Sequence, residues 1–248
     1  MSALLKRALL CGAIGLSLTA CGGSDNNDGN SDGSGIQSPP VLPPAGTGVT
    51  VNTAAAWQQY LTTPRRWEIS GQQNGNAYNL ALVLTPGPIS TFPFNGQLAS
   101  TTTQSLRLTF AGVVNADTEG TLYHTNNRLI GIVGGSGSNA RCAVIRTPFT
   151  PLPDNSSVGA SGTIISLDSM AGCSPNAARV GTVTLTWSVE QDLAVTLFCL
   201  STLRQDSAGV PAGSETACVQ SNAAGELAGG ARLTLRRTDG TEISGKNY

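Results

Sequence analysis

The chain has 248 residues, 40% hydrophobic and only 12% charged, with a formal net charge of −1 at neutral pH. From Arg65 onward 12 basic residues balance 12 acidic ones, which excludes the basic stripe that nucleic acid needs. One histidine and no Cys-x-x-Cys pair exclude the common metal-ligand patterns.

Lys6 and Arg7 precede an apolar run from Ala8 to Ala20. A membrane-spanning helix needs about 20 such residues, so this shorter run reads as a secretory signal. It ends in Leu18-Thr19-Ala20-Cys21. That tetrapeptide resembles the lipobox of bacterial lipoproteins: an apolar residue, two small ones, then the acylated cysteine. Cys11 follows the bulky Leu10 and does not fit. The resemblance covers the first two dozen residues. It implies loss of the signal peptide 1–20 and a diacylglyceryl thioether at Cys21, with a further fatty chain such as palmitate. Glycine rather than aspartate at position 22 implies the outer membrane, by analogy with Gram-negative lipoproteins. More than one acyl chain is what makes such an anchor stable.

Residues 21–48 read as the acylated cysteine and a flexible tether of Gly, Ser, Asn, Asp and Pro. Such a segment buries too little surface to offset its ordering entropy. Asp25, Asp28 and Asp32 lack EF-hand spacing and a closing glutamate.

The remainder, 49–248, reads as one domain. "NTAAAWQQYLTT" at 52–63 predicts a short helix, with Asn52 or Thr53 as cap, Trp57, Tyr60 and Leu61 on one face, and Pro64 as the stop. Period-two alternation then takes over. Asn74-Gly75 and Asp239-Gly240 predict tight hairpins, and Asn126-Asn127 a weaker one. "VTLTWSVEQDLAVTLFCL" predicts a hairpin turning near Glu190–Asp192. Val183, Leu185, Trp187 and Val189 share one face of its first arm; Leu193, Val195, Leu197 and Cys199 share one of its second. Further strands are expected at 105–113, 141–146, 158–166 and 214–221. About ten to twelve short strands and no βαβ rhythm predict an all-β antiparallel meander, barrel-like or sandwich, with the helix over an end or a seam. Strands shorter than those of outer-membrane barrels, and few aromatics, favour a water-soluble domain. "EISG" occurs at Glu68–Gly71 and again at Glu242–Gly245, too short a match to establish a duplication.

Cys142, Cys173, Cys199 and Cys218 form an even set in an exported chain, which reads as two disulfides. Of three possible pairings, the sequence-local Cys142–Cys173 and Cys199–Cys218 suits a meandering sheet. No catalytic residue emerges. His124 reads as a solvated residue beside a turn. Ser136 lacks a nucleophile elbow, and Glu119, Asp168 and Glu190 sit near turns where acids are ordinary. Arg65-Arg66 and Arg236-Arg237 read as solvated strand residues. Trp67, Trp187, Phe110 and Phe198 read as core, or as the lining of a hollow barrel. Two roles are expected: a non-enzymatic envelope protein that contacts another envelope component, or a lipocalin-like binder of an apolar small molecule. No cofactor beyond the covalent lipid at Cys21 is expected.

Overall fold

Asn52 opens the helix. Its side chain accepts the Ala55 N–H at 2.9 Å, and α1 runs Thr53–Thr62 in the computed structural model. Residues 48–73, 76–135 and 137–248 are described. The signal segment, Cys21, the tether, the Asn74-Gly75 pair and Ser136 lie outside them. Trp57, Tyr60 and Leu61 are buried together, as their spacing predicts, and Thr63 turns to extended backbone ahead of Pro64.

Twelve strands form a single antiparallel sheet. In chain order they are β2 (Arg65–Gln73), β3 (Asn76–Thr91), β4 (Leu98–Phe110), β5 (Val113–Thr125), β6 (Arg128–Gly134) and β7 (Arg141–Ile145). Then come β9 (Ser161–Met170), β10 (Arg179–Asp192), β11 (Val195–Asp206), β12 (Pro211–Ser221), β13 (Leu227–Arg236) and β14 (Glu242–Lys246). Each pairs with its sequence neighbours, β7 with β9 across a long connection, so the sheet is a meander that curls into a nearly closed barrel. Two short strands, β1 (Thr50–Val51) and β8 (Ser156–Ser157), pair with each other beside it.

The strands are longer than the sequence suggests. β3 has 16 residues and β10 has 14. "TPGPIST" looks like a turn, yet β3 continues through it. Its pairing with β2 stops at Leu84, so Pro86 and Pro88 stand on a free edge where a missing N–H breaks no ladder. Strand length therefore does not separate this barrel from a membrane-spanning one; polarity does. Leu80, Leu82, Leu84, Leu106, Leu108, Leu185, Trp187, Val189, Phe198 and Leu200 pack inside, while Thr184, Thr186, Thr103, Ser105, Arg107 and Glu68 take the alternate, outward phase. A barrel in lipid has the opposite arrangement.

Two turns differ from expectation. Asp192 pairs with Val195, so the β10–β11 turn is Leu193-Ala194 and Leu193 is exposed with φ 56°, not part of the β11 face. Glu190 and Asp192 stay in the strand because they face outward onto Arg232 and Lys246. Asp239-Gly240 belongs to a longer loop between Arg236 and Glu242. There Arg237 N–H bonds the Thr241 carbonyl and Asp239 Oδ1 accepts the Thr241 N–H.

The barrel's two edges, β2 and β14, meet at a seam. Tyr78 Oη donates to the Ser244 carbonyl at 3.0 Å, and Asn247 Nδ2 to the Glu68 carbonyl at 3.0 Å. Both "EISG" copies lie here. Their isoleucines, Ile69 and Ile243, are buried. Their glycines let Tyr78 lie flat: a Cβ on Gly71 or Gly245 would come within 2.6 Å and 2.8 Å, respectively, of the Tyr78 phenol. The shared residues thus serve one closure, which protects edges that would otherwise pair with another chain.

Both disulfides form as expected, Cys142–Cys173 and Cys199–Cys218. Each lies on the outward phase of the wall. Cys199 faces Cys218 directly across β11 and β12. Cys142 joins a small outer core in which Phe92 packs against Gly131 and Tyr123.

Candidate functional site

Alternate turns of a meander fall at opposite ends of a barrel. The β5–β6, β12–β13 and post-β7 connections share one end, and α1 is fastened to all three. Trp57 Nε1 donates to the Asn127 carbonyl at 2.7 Å, Asn52 N–H to the Ala223 carbonyl, and Thr53 Oγ1 to the Pro153 carbonyl. The helix is therefore a plug, and its inner face is a floor. Trp57 and Tyr60 stack with ring centroids 6.1 Å apart, and Phe149 lies 6.5 Å from Trp57 on the other side.

Above this floor the barrel is hollow. A cavity of about 390 Å³ reaches from Trp57 and Tyr60 toward the opposite end. Its walls are mainly apolar, from Leu82, Leu106, Leu122, Ile132, Leu185 and Leu200. Volumes of this order are typical of small-molecule sites. Two glycines create much of the space. A single row of paired residues crosses five strands: Leu84, Gln104, Gly120, Gly134 and Arg141. A Cβ on Gly134 would meet only the Glu119 carbonyl, at 3.9 Å, so the wall is bare at that point. Because barrel strands are staggered, the row climbs. Gln104 is tied to the floor by Tyr60 Oη, which donates to its Oε1 at 2.9 Å, and Arg141 opens β7 at the mouth.

Among the described residues, three charged side chains on the inward phase line the cavity, and a fourth, Arg65, shares that phase but lies under α1 instead. Glu215 is 6% exposed and accepts from Arg204 Nη2 at 2.6 Å across β11 and β12. Both line the cavity, as does Arg141, which makes no hydrogen bond or ion pair among the described residues. Gln104, whose Oε1 accepts from Tyr60, also lines the cavity. Burial, and secondarily the charge of Glu215, raise the Tyr60 phenol far above its ordinary value, so Tyr60 is a neutral donor at any working pH.

His124 is not solvated. It is 4% exposed, because it shares the inward phase of Gly120 and Leu122 and α1 covers that end of the barrel. Thr102 Oγ1 donates its proton to the Leu61 carbonyl, so His124 Nε2 carries the hydrogen that bonds Thr102 at 3.1 Å. No catalytic constellation gathers around it among the described residues. Burial lowers the His124 pKa. The unfolded chain then binds a proton near pH 6.5 that the folded chain refuses, so stability falls as pH drops below about 6.5, by up to ~1.4 kcal/mol per unit. Melting followed from pH 7.5 to 5 should show this loss, and His124→Gln should flatten it.

Of the acidic candidates among the described residues, only Glu119 borders the cavity. Asp168 pairs with Arg179 and Arg146, and Glu190 with Arg232, each on the outer wall. Glu119 is exposed. Glu190, Cys199 and Cys218 cluster closely, but the two sulfurs are bonded to each other and cannot hold a metal. Trp67, Trp187 and Phe198 are core; Phe110 is half-buried at the mouth end. Arg65 is not a solvated strand residue: it points under the helix, its Nη2 3.4 Å from Gln59 Oε1. Arg66 and Arg236 are exposed as expected.

Arg141, Arg204 and Glu215 escaped notice in the sequence because "NARC", "STLRQD" and "GSETAC" are polar stretches. The available signal was phase: Glu215 is in step with Ala217 and Val219, and Arg204 with Phe198 and Leu200. No protein-family model, curated protein or solved structure matches the chain.

Proposed function

We propose that this chain is a lipid-anchored, non-enzymatic binding protein of the outer membrane that holds a small, mainly apolar molecule inside its barrel. The observation that carries the reading is the cup of about 390 Å³, apolar in its walls, closed below by Trp57 and Tyr60, with a few polar groups that can orient a guest. A packed interior would have favoured the alternative, a purely structural or interaction role. Among the large apolar residues that reach solvent, Ile89, Leu98, Ile145 and Leu193 lie at the plug end and Val113, Val114 and Val210 at the mouth, with Leu203 on the outer wall and Val49 beside the barrel. The polar outer wall supports a domain that sits in water and owes its attachment to Cys21.

Native mass spectrometry of the full-length protein, purified from its own membranes, should show a retained small molecule beyond the covalent acyl chains. Gly134→Val puts a side chain into the open row and should abolish that retention while the melting temperature stays near wild type. Identical, ligand-free spectra for both proteins would overturn the reading. For the anchor, Cys21→Ser should abolish palmitate labelling, and continued labelling would refute the lipobox.

A further inference from the structure

From the charges inside the cup we infer that its guest is an aliphatic carboxylic acid, lying along the Gly120–Gly134 wall with its carboxylate on Arg141. The inference rests on the cavity being a binding site and adds the chemistry of the guest.

Of the three inward-phase charged groups that line the cavity, Glu215 and Arg204 neutralise each other at 2.6 Å. Arg141 is left with a guanidinium that no described residue engages. The cup therefore carries one uncompensated positive charge, at the mouth, above an apolar interior. Glu119 also borders the cavity, but it lies between Thr118 and Gly120 on the alternate phase of β5, is exposed, and makes no ion pair with Arg141. A planar guanidinium matches a carboxylate by a two-point bond that an alcohol or amine cannot make.

Size and direction agree with this. Three strand spacings of about 4.8 Å separate Gln104 from Arg141, so the bare row is roughly 14 Å long. At about 30 Å³ per water-sized unit, the cavity has room for on the order of a dozen non-hydrogen atoms. A chain of about ten carbons ending in a carboxylate satisfies both. Its tail meets the Trp57–Tyr60 floor and its head stays at the wet rim, where little of the charge must be desolvated. A cationic head would have to compete with Arg204 for Glu215 while standing beside Arg141.

Calorimetric titration of the full-length protein with decanoate, decanol and decylamine separates the possibilities. Decanoate should bind at least tenfold more tightly than decanol, and decylamine no better than decanol. Arg141→Gln should bring the decanoate-to-decanol ratio close to one, and Arg141→Lys should restore part of it. Gly134→Val should weaken decanoate at least tenfold without touching the charge. If decanol equals decanoate, or decylamine exceeds it, the acid assignment falls while the cavity remains a site. If none of the three binds, and Gly134→Val behaves as wild type, the binding reading falls with it.

Discussion

Arg204→Met is expected to destabilise the fold by about 3 kcal/mol, near the lower end of what breaking a buried ion pair costs. The reason is the asymmetry of the pair. The Glu215 side chain is 8% exposed and the Arg204 side chain 41%. Removing the arginine strands a carboxylate inside an apolar barrel, where only the water at the mouth can partly solvate it. For a domain of about 200 residues, 3 kcal/mol lowers the melting temperature by roughly 6–12 °C. The double variant Arg204→Met with Glu215→Leu should recover most of the loss, because an apolar pair of similar volume needs no desolvation. Arg66→Met is the control. Arg66 pairs with Glu68 just as closely, but both side chains are about half exposed, and such a pair contributes under about 1 kcal/mol. Equal losses in Arg204→Met and Arg66→Met, read by thermal or urea melts, would show that Glu215 is not effectively buried.

That contrast also shows what the sequence could and could not reveal. The helix was legible because its signals are local: the Asn52 cap, the Trp57–Tyr60–Leu61 spacing and the Pro64 stop each act within a few residues. The disulfides were legible because a meander brings sequence-near cysteines together, and β11 and β12 place Cys199 opposite Cys218. The cavity was not, because it is a property of register. Gly120 and Gly134 are ordinary strand glycines until pairing aligns them between Gln104 and Arg141. The burial of His124 is hidden in the sequence for a related reason. Being beside a turn exposes a residue only if nothing covers that end of the sheet, and here α1 does. Leu193 reads as part of a strand face because "EQD" looks like a turn. Those acids remain in β10 through outward ion pairs that no local pattern encodes.

Trp57→Ala tests whether the helix holds the barrel's end or merely rests against it, and the expected loss is about 3–5 kcal/mol, or roughly 6–20 °C in melting temperature. Trp57 is 2% exposed and makes three distinct contributions. Its ring fills the space between Tyr60 and Phe149, so truncation leaves a hole beside two aromatic faces. Its indole N–H satisfies the Asn127 carbonyl, in a turn whose Asn126 and Asn127 both hold positive φ, at 51° and 61°. Its edge is part of the cavity floor. Trp57→Phe separates these. It keeps most of the packing and loses the bond, which should cost about 1 kcal/mol plus a smaller packing term. If Trp57→Phe is as damaging as Trp57→Ala, the turn contact dominates and the plug is held from its rim. If Trp57→Ala costs under about 1 kcal/mol, the helix is not integral to the fold. The cup would then have no fixed floor, and the length of the guest could not be set by the distance from Trp57 to Arg141. With the larger loss, the same residue closes the barrel and sets how deep a ligand can reach.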